Sequence, residues 1–134
     1  MPAFLFSGVS VMEKIMSLLC KHMDTGAYNR LFGGKMLFYL DEAAAVYAYG
    51  LVEKGVNLVT YRMGEIKFLR AVELNEVMSF YGTGASFTEH SVSFVLRVQV
   101  GEELCLETDV TMVSVDASGR KEKLRRASKT VEKP

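Results

Sequence analysis

Along residues Ser91–Val100 the chain alternates: Val92, Phe94, Leu96, Val98 and Val100 fall on one side of an extended backbone, and Ser93, Arg97 and Gln99 on the other. That period of two predicts a half-buried β-strand. Residues 57–68, Val77–Phe87 and 104–116 read the same way, and residues 9–19 mix β-branched and long apolar residues as a first strand would. The connections Thr88-Glu89-His90 and Gly101-Glu102-Glu103 are short, so the strands they join are antiparallel neighbours. Between the first strand and the others come a turn-rich stretch at residues 22–30, then Gly33-Gly34 and an alanine-, leucine- and methionine-rich run without proline. Leu37, Leu40, Ala44, Tyr47 or Ala48 and Leu51 recur there at helical spacing, and Lys54-Gly55 supplies a cation and a glycine stop. Apolar residues surround this helix almost completely and several are small, which predicts a helix wrapped by a sheet. One helix covers one face of a five-stranded sheet, so the other face is expected to be polar or covered by a second copy; a dimer is the smallest expected assembly.

Composition adds limits. The 134 residues are 49% hydrophobic and 24% charged, with no internal repeat and with Pro2 and Pro134 as the only prolines. This fits a single domain over residues 1–134, with an ordered core at about residues 9–119. Sixteen basic residues balance sixteen acidic ones, but unevenly: residues 120–134 hold seven basic and two acidic residues, leaving nine basic and fourteen acidic in the preceding 119. An acidic body thus ends in a basic segment, whose last part, residues 127–134, is expected to be flexible. No apolar run reaches the ~20 residues of a spanning helix, and Glu13 and Lys14 interrupt the apolar N-terminus, so a cytoplasmic protein without a membrane partner is expected. Cys20 and Cys105 stand apart from each other and from any Cys/His cluster, which predicts reduced thiols and no metal.

Asp24-Thr25, then Leu31-Phe32-Gly33-Gly34-Lys35-Met36-Leu37, then Leu40-Asp41-Glu42-Ala43-Ala44 resemble the D-x-N-x-x-G-x-x-F-G-G-x-x-L-x-x-x-D-x-x-A signature of hotdog-fold acyl-CoA thioesterases, the YciA-like and mammalian cytosolic acyl-CoA hydrolase group. Val59-Thr60 with Ile66-Lys67-Phe68, and Val113-Ser114-Val115-Asp116 with Gly119-Arg120, resemble two further motifs of that family. The resemblance implies an α+β hotdog fold: a curved five-stranded antiparallel sheet wrapped around one long central helix. It also implies homodimers, which in many relatives associate further as a trimer of dimers, with each site between two subunits. The chain departs from the signature at Gly26, where the family has Asn, and at Asn29, where it has Gly; Asn tolerates the left-handed backbone that glycine would supply. Ala71 and Asn75-Glu76 replace a proline and a Gly-Asp pair.

Thioester hydrolysis needs a water or nucleophile, an acceptor for its proton, and donors aimed at the developing oxyanion. Gly33 and Gly34 open the helix, so their N–H groups lack intrahelical acceptors and can approach a carbonyl at the positive end of the helix dipole. Asp41, two turns on, lies beside the apolar stripe, where partial desolvation would make it a better base. The resemblance assigns it the role of general base or nucleophile; a helix-surface acid is the plain alternative. Coenzyme A is part of substrate and product, and no separate cofactor is implied. Its phosphates require cations, for which Arg120, Lys121, Lys123, Lys67 and Arg70 are candidates. Asn29, Phe32, Phe68, Thr88, His90 and Ser91 are the other expected contacts to substrate. Neither His22 nor His90 has the surroundings of a catalytic histidine, and the eight methionines read as core filling or as an adaptable acyl channel. A hotdog protein that binds acyl-CoA without hydrolysing it is the main alternative, suggested by Gly26. Nucleic-acid binding through the basic end lacks the interleaved aromatics such surfaces use, and no nucleic-acid partner is expected.

Overall fold

The computed structural model describes residues 12–128. Residues 9–11 of the expected first strand and residues 129–134 of the expected flexible tail lie outside them. The elements are β1 (Glu13–Leu19), α1 (Gly33–Tyr49), β2 (Leu58–Met63), β3 (Val77–Phe87), β4 (Ser91–Val100) and β5 (Glu103–Ser114), with short 3₁₀ turns at His22–Asp24 and Ala27–Asn29. All neighbouring strands are antiparallel in one sheet of order β1-β3-β4-β5-β2, so β1 and β2 are its edges. Register shifts within each paired ladder bend the sheet around the helix. This is the expected α+β hotdog arrangement.

The core forms where the alternating strand pattern meets the small side chains of α1. Met78, Phe80, Val92, Phe94, Leu96, Val98, Leu106 and Val110 line the inner face of the sheet against Met36, Leu40, Ala43, Ala44 and Ala48. Gly82 on β3 makes room for the Tyr47 ring, which meets Phe94 edge-on with centroids 5.0 Å apart. The buried side of the helix differs from the expected stripe: Met36 and Ala43 point inward while Leu37 is exposed. A helix apolar nearly all round carries no periodic signal strong enough to choose its inner face.

Two element ends also differ from expectation. The helix stops at Tyr49 rather than at Gly55, with Gly50 as its cap. Beyond it, Leu51, Val52 and Glu53 pair with the C-terminal segment through Glu53 N–H to Arg125 O, Ala127 N–H to Leu51 O and a bridge between Val52 and Arg126. Gly55 instead serves a later turn at φ 98°. Strand β2 stops at Met63 rather than at residue 68; Gly64 just beyond it still donates its N–H to Asp109 O, and a Cβ there would overlap the Asp109 carboxylate.

Packing continues past residue 119. Leu124 is buried and donates its N–H to Glu89 O, and the Arg126 guanidinium lies 4.1 Å from the centroid of the Phe87 ring. Residues 120–128 thereby strap the β3–β4 turn to the region just after α1.

Candidate active site

The start of α1 is held by its neighbours on both sides. Phe32 donates its N–H to Asp24 O at 2.9 Å, and its carbonyl accepts from Lys35 and Met36 at 2.9 and 3.1 Å. The Gly33 and Gly34 amides come before any residue with an acceptor one turn back, which leaves two N–H groups at the positive end of the helix. The exposed Phe32 ring lies over this turn: a Cβ on Gly34 would be 3.0 Å from Phe32 Cε2, and one on Gly26 3.3 Å from Cδ1. Asn29 adopts the left-handed conformation expected of it, at φ 58°, and Tyr28 beside it does so at φ 56°.

Gly34 and Asp41 share an open groove of about 710 Å³, lined also by Leu37, Phe38, Glu42, Ala45, Met63 and Ile66. Asp41 Oδ1 accepts a 2.6 Å hydrogen bond from the Thr60 hydroxyl on β2. The residues of α1 that line the groove lie on the helix face turned away from the sheet, where Leu37 and Phe38 are 43% and 63% exposed. Asp41 is exposed as well, so its own chain does not supply the desolvation expected of it. Seven residues of helix set Gly34 and Asp41 about 10 Å apart along the axis. That is too far for one copy of each to act together on one carbonyl carbon.

Other expected contacts fall into separate places. Thr88, His90, Ser91 and Lys121 meet Tyr61, Thr111 and Val113 around a pocket of about 230 Å³, where the Thr88 and Ser91 hydroxyls are 2.6 Å apart. Gly33, Phe68 and Arg70 border a hollow of about 310 Å³ with Leu31, Met36 and Val72. Arg70 is already engaged: Nη1 and Nη2 bond the Glu76 carboxylate at 2.5 and 2.8 Å, and Nε donates to Glu103 at 3.2 Å. The Glu76 hydrogen bonds, opposed by partial burial, raise the Arg70 pKa further and hold Glu76 below the usual carboxylate range. Arg70 is thus placed as a brace between loop and β5 rather than as an open phosphate contact. Lys67 is exposed beside Glu65 at 3.8 Å in the loop after β2, and the Arg120 and Lys123 side chains are exposed outside these three pockets.

Two residues enter the site without having been singled out for a role. Thr60 lies in the Val59-Thr60 motif, but only the fold brings it to Asp41. Asp24 is 1% exposed, and its carboxylate bonds the Lys21 amide and the Tyr39 hydroxyl. Among the described residues no group of three or more His, Cys, Asp or Glu is placed to hold a metal ion, and no helix is long and apolar enough to cross a membrane.

No family model matches the chain. It is 30% identical over 104 residues to the uncharacterized acyl-CoA thioester hydrolase YkhA of Bacillus subtilis, covering 73% of this chain and 59% of that protein. It is 26% identical over 115 residues to an uncharacterized acyl-CoA thioester hydrolase of Haemophilus influenzae, covering 79% of this chain and 73% of the relative. The crystal structure of a hexameric thioesterase from Yersinia pestis superposes with a TM-score of 0.75 at 26% identity, covering 84% of this chain and 94% of that one. The strand order, the F-G-G-x-x-L-x-x-x-D helix start and these likenesses agree: the chain has the hotdog fold and is similar in sequence to acyl-CoA thioester hydrolases, of which it spans 59% of the Bacillus subtilis protein and 73% of the Haemophilus influenzae one.

Proposed function

We propose that this chain hydrolyses acyl-CoA thioesters to a carboxylic acid and free coenzyme A, at sites that two copies of the chain complete together. The carrying observation is the groove in which the helix-start amide of Gly34 and the Asp41 carboxylate lie on one face of α1, about 10 Å apart. Two copies packed with these faces together bring the Gly33-Gly34 amides of one against Asp41 of the other, and they cover Leu37 and Phe38. That packing also withdraws Asp41 from water, which strengthens a carboxylate as a base. A homodimer is therefore the proposed functional unit, and the hexameric thioesterase from Yersinia pestis supports further assembly into a hexamer.

In the proposed reaction Asp41 takes a proton from water as the water oxygen attacks the thioester carbonyl carbon. The carbonyl π electrons move to oxygen, where the Gly33 and Gly34 amides stabilise the charge. Collapse of the tetrahedral intermediate re-forms the carbonyl and breaks the C–S bond. The electron pair leaves with sulfur, and the coenzyme A thiolate then takes up the proton. Thr60 holds one oxygen of Asp41 and leaves the other for water. No metal or cofactor takes part. Lys121, with the Thr88 and Ser91 hydroxyls and the His90 turn, is the best placed set for a polar part of coenzyme A, with Arg120 and Lys123 as outer cations. The cytoplasm, where acyl-CoA is made and used, is the proposed location.

The second reading, an acyl-CoA binder that turns over negligibly, rests on Gly26 at the family's Asn position. A panel of acyl-CoAs with a dye that traps the released thiol separates the two. Hydrolysis by the wild type and its loss in Asp41→Ala support the enzyme. Binding of the esters without release of thiol supports the carrier.

A further inference from the structure

We infer that Asp24 is a positioning residue of this site: its buried carboxylate and its backbone carbonyl together hold in place the start of α1, which carries the Gly33 and Gly34 amides. The inference rests on the hydrolytic reading for its consequence and on contacts alone for its geometry.

Asp24 is the one charged residue among the described buried ones. A buried carboxylate is costly unless it is paired, and an apolar side chain of similar volume holds a loop at least as firmly. What it provides here is direction. Oδ2 accepts the Lys21 N–H at 3.0 Å and Oδ1 the Tyr39 hydroxyl at 2.9 Å, with the ammoniums of Lys21 and Lys35 at 3.6 and 3.7 Å. Lys35 and Tyr39 are one turn apart on α1, so the carboxylate grips the first two turns of the helix from one side.

The backbone of the same residue grips the turn before it. Asp24 O accepts the Phe32 N–H, a bridge joins Thr25 and Leu31, and Gly26 N–H bonds Arg30 O at 2.8 Å. The Gly33 amide belongs to the peptide plane that begins at the Phe32 carbonyl. Its Phe32 carbonyl is held by the Lys35 and Met36 amides, and the peptide plane just before it, which carries the Phe32 N–H, is held by Asp24 O, so Phe32 is fixed on both sides. Tyr39 carries the same constraint into the groove, because its ring meets Phe38 edge-on with centroids 5.5 Å apart. Donors to an oxyanion act only when they are held in place before charge develops, and small misplacements cost large factors in rate.

The test compares Asp24→Asn and Tyr39→Phe with the core variant Val98→Ala, which lowers stability from the sheet side of the core without removing any of the Asp24 contacts. Hydrolysis of one acyl-CoA is followed in the full-length assembled protein, together with hydrogen exchange of its amides. In Asp24→Asn, kcat is expected to fall about tenfold or more with KM within about twofold. Tyr39→Phe, a smaller change that leaves the fold intact, should fall about threefold. Val98→Ala should melt earlier yet keep kcat within about twofold. Exchange at residues 26–34 should quicken in the Asp24 and Tyr39 variants while that of β4 stays as in the wild type. If kcat tracks melting temperature across all three variants, or exchange at residues 26–34 is unchanged, Asp24 does not position these amides. If the wild type releases no thiol, the hydrolytic reading fails by itself, and the exchange comparison still decides the geometry.

Discussion

The Thr60 hydroxyl donates to Asp41 Oδ1 at 2.6 Å and ties the middle of α1 to the edge strand β2. The proposed general-base hydrolysis depends on the Asp41 carboxylate and, to a smaller degree, on the Thr60 hydroxyl that orients it. Asp41→Asn should lower kcat by about 10²–10⁴-fold, the range such a base contributes. Thr60→Val, which keeps the shape and removes the donor, should lower kcat about tenfold with KM little changed. Steady-state kinetics of the two variants check this; equal effects on kcat would mean that Thr60 does more than orient.

A close approach inside the barrel sets a second expectation. A Cβ on Gly82 would lie 2.8 Å from Tyr47 Cδ1 and Cε1, and the Tyr47 ring is backed by Phe94. Alanine in a strand gains about 0.5–1 kcal/mol over glycine in backbone entropy, but overpacking costs about 1–3 kcal/mol. The clash wins, so Gly82→Ala should destabilise, and a smaller residue at position 47 in the same chain should recover part of the loss. Denaturant melts of the single and double variants measure the coupling.

Acid should unfold the protein through two carboxylates in particular. Burial disfavours the Asp24 charge, but the Lys21 amide, the Tyr39 hydroxyl and the Lys21 and Lys35 ammoniums outweigh it and hold its pKa below the ordinary carboxylate value. Glu76 is held down by Arg70 and the Glu73 amide. Unfolded Asp and Glu titrate near about 3.9 and 4.3, so this stability is complete above those values and is lost as pH falls through the lower folded ones. Asp24→Asn should cost about 2–3 kcal/mol at neutral pH, in the range of hydrogen bonds to a charged group. Its deficit against the wild type should shrink below about pH 4. Thermal melts from neutral to acid pH give the answer, and a deficit that widens with acid would reverse the sign of this account.

For coenzyme A, the pocket beside the β3–β4 turn makes a separable claim. Lys121→Ala should raise KM for an acyl-CoA about three- to tenfold with kcat unchanged, because a phosphate contact at the rim binds ground and transition states alike. The difference should narrow as salt screens the charge. An unchanged KM at low salt would remove Lys121 from the binding surface.

The limits of β3 and β4 were legible in the sequence because alternation and short turns are local signals, and those strands run as expected. The F-G-G-x-x-L-x-x-x-D motif likewise marked the helix start and Asp41. The end of α1 was not legible, since Leu51 and Val52 continue its apolar pattern but serve contacts with residues 125–127, more than seventy positions away. Thr60 and Asp24 were missed as working residues for the same reason. Their partners Asp41 and Tyr39 lie 19 and 15 residues away on a different element, and no pattern within either segment specifies those meetings. Arg70 looked like an open cation because Glu76 and Glu103 reach it only through the folded loop.

Mixing two inactive variants tests the shared site most directly. Asp41→Ala removes the base, and Gly34→Pro removes one helix-start N–H that has no intrahelical acceptor to lose, with the Phe32 ring shifting to admit the added carbon atoms. Each alone should be nearly inactive on acyl-CoA. Unfolded and reassembled together in equal amounts, they should regain about a quarter of wild-type activity, because half the dimers are mixed and each mixed dimer holds one intact site. Activity in the mixture no higher than the average of the two variants alone would contradict a site built from Gly34 of one copy and Asp41 of another.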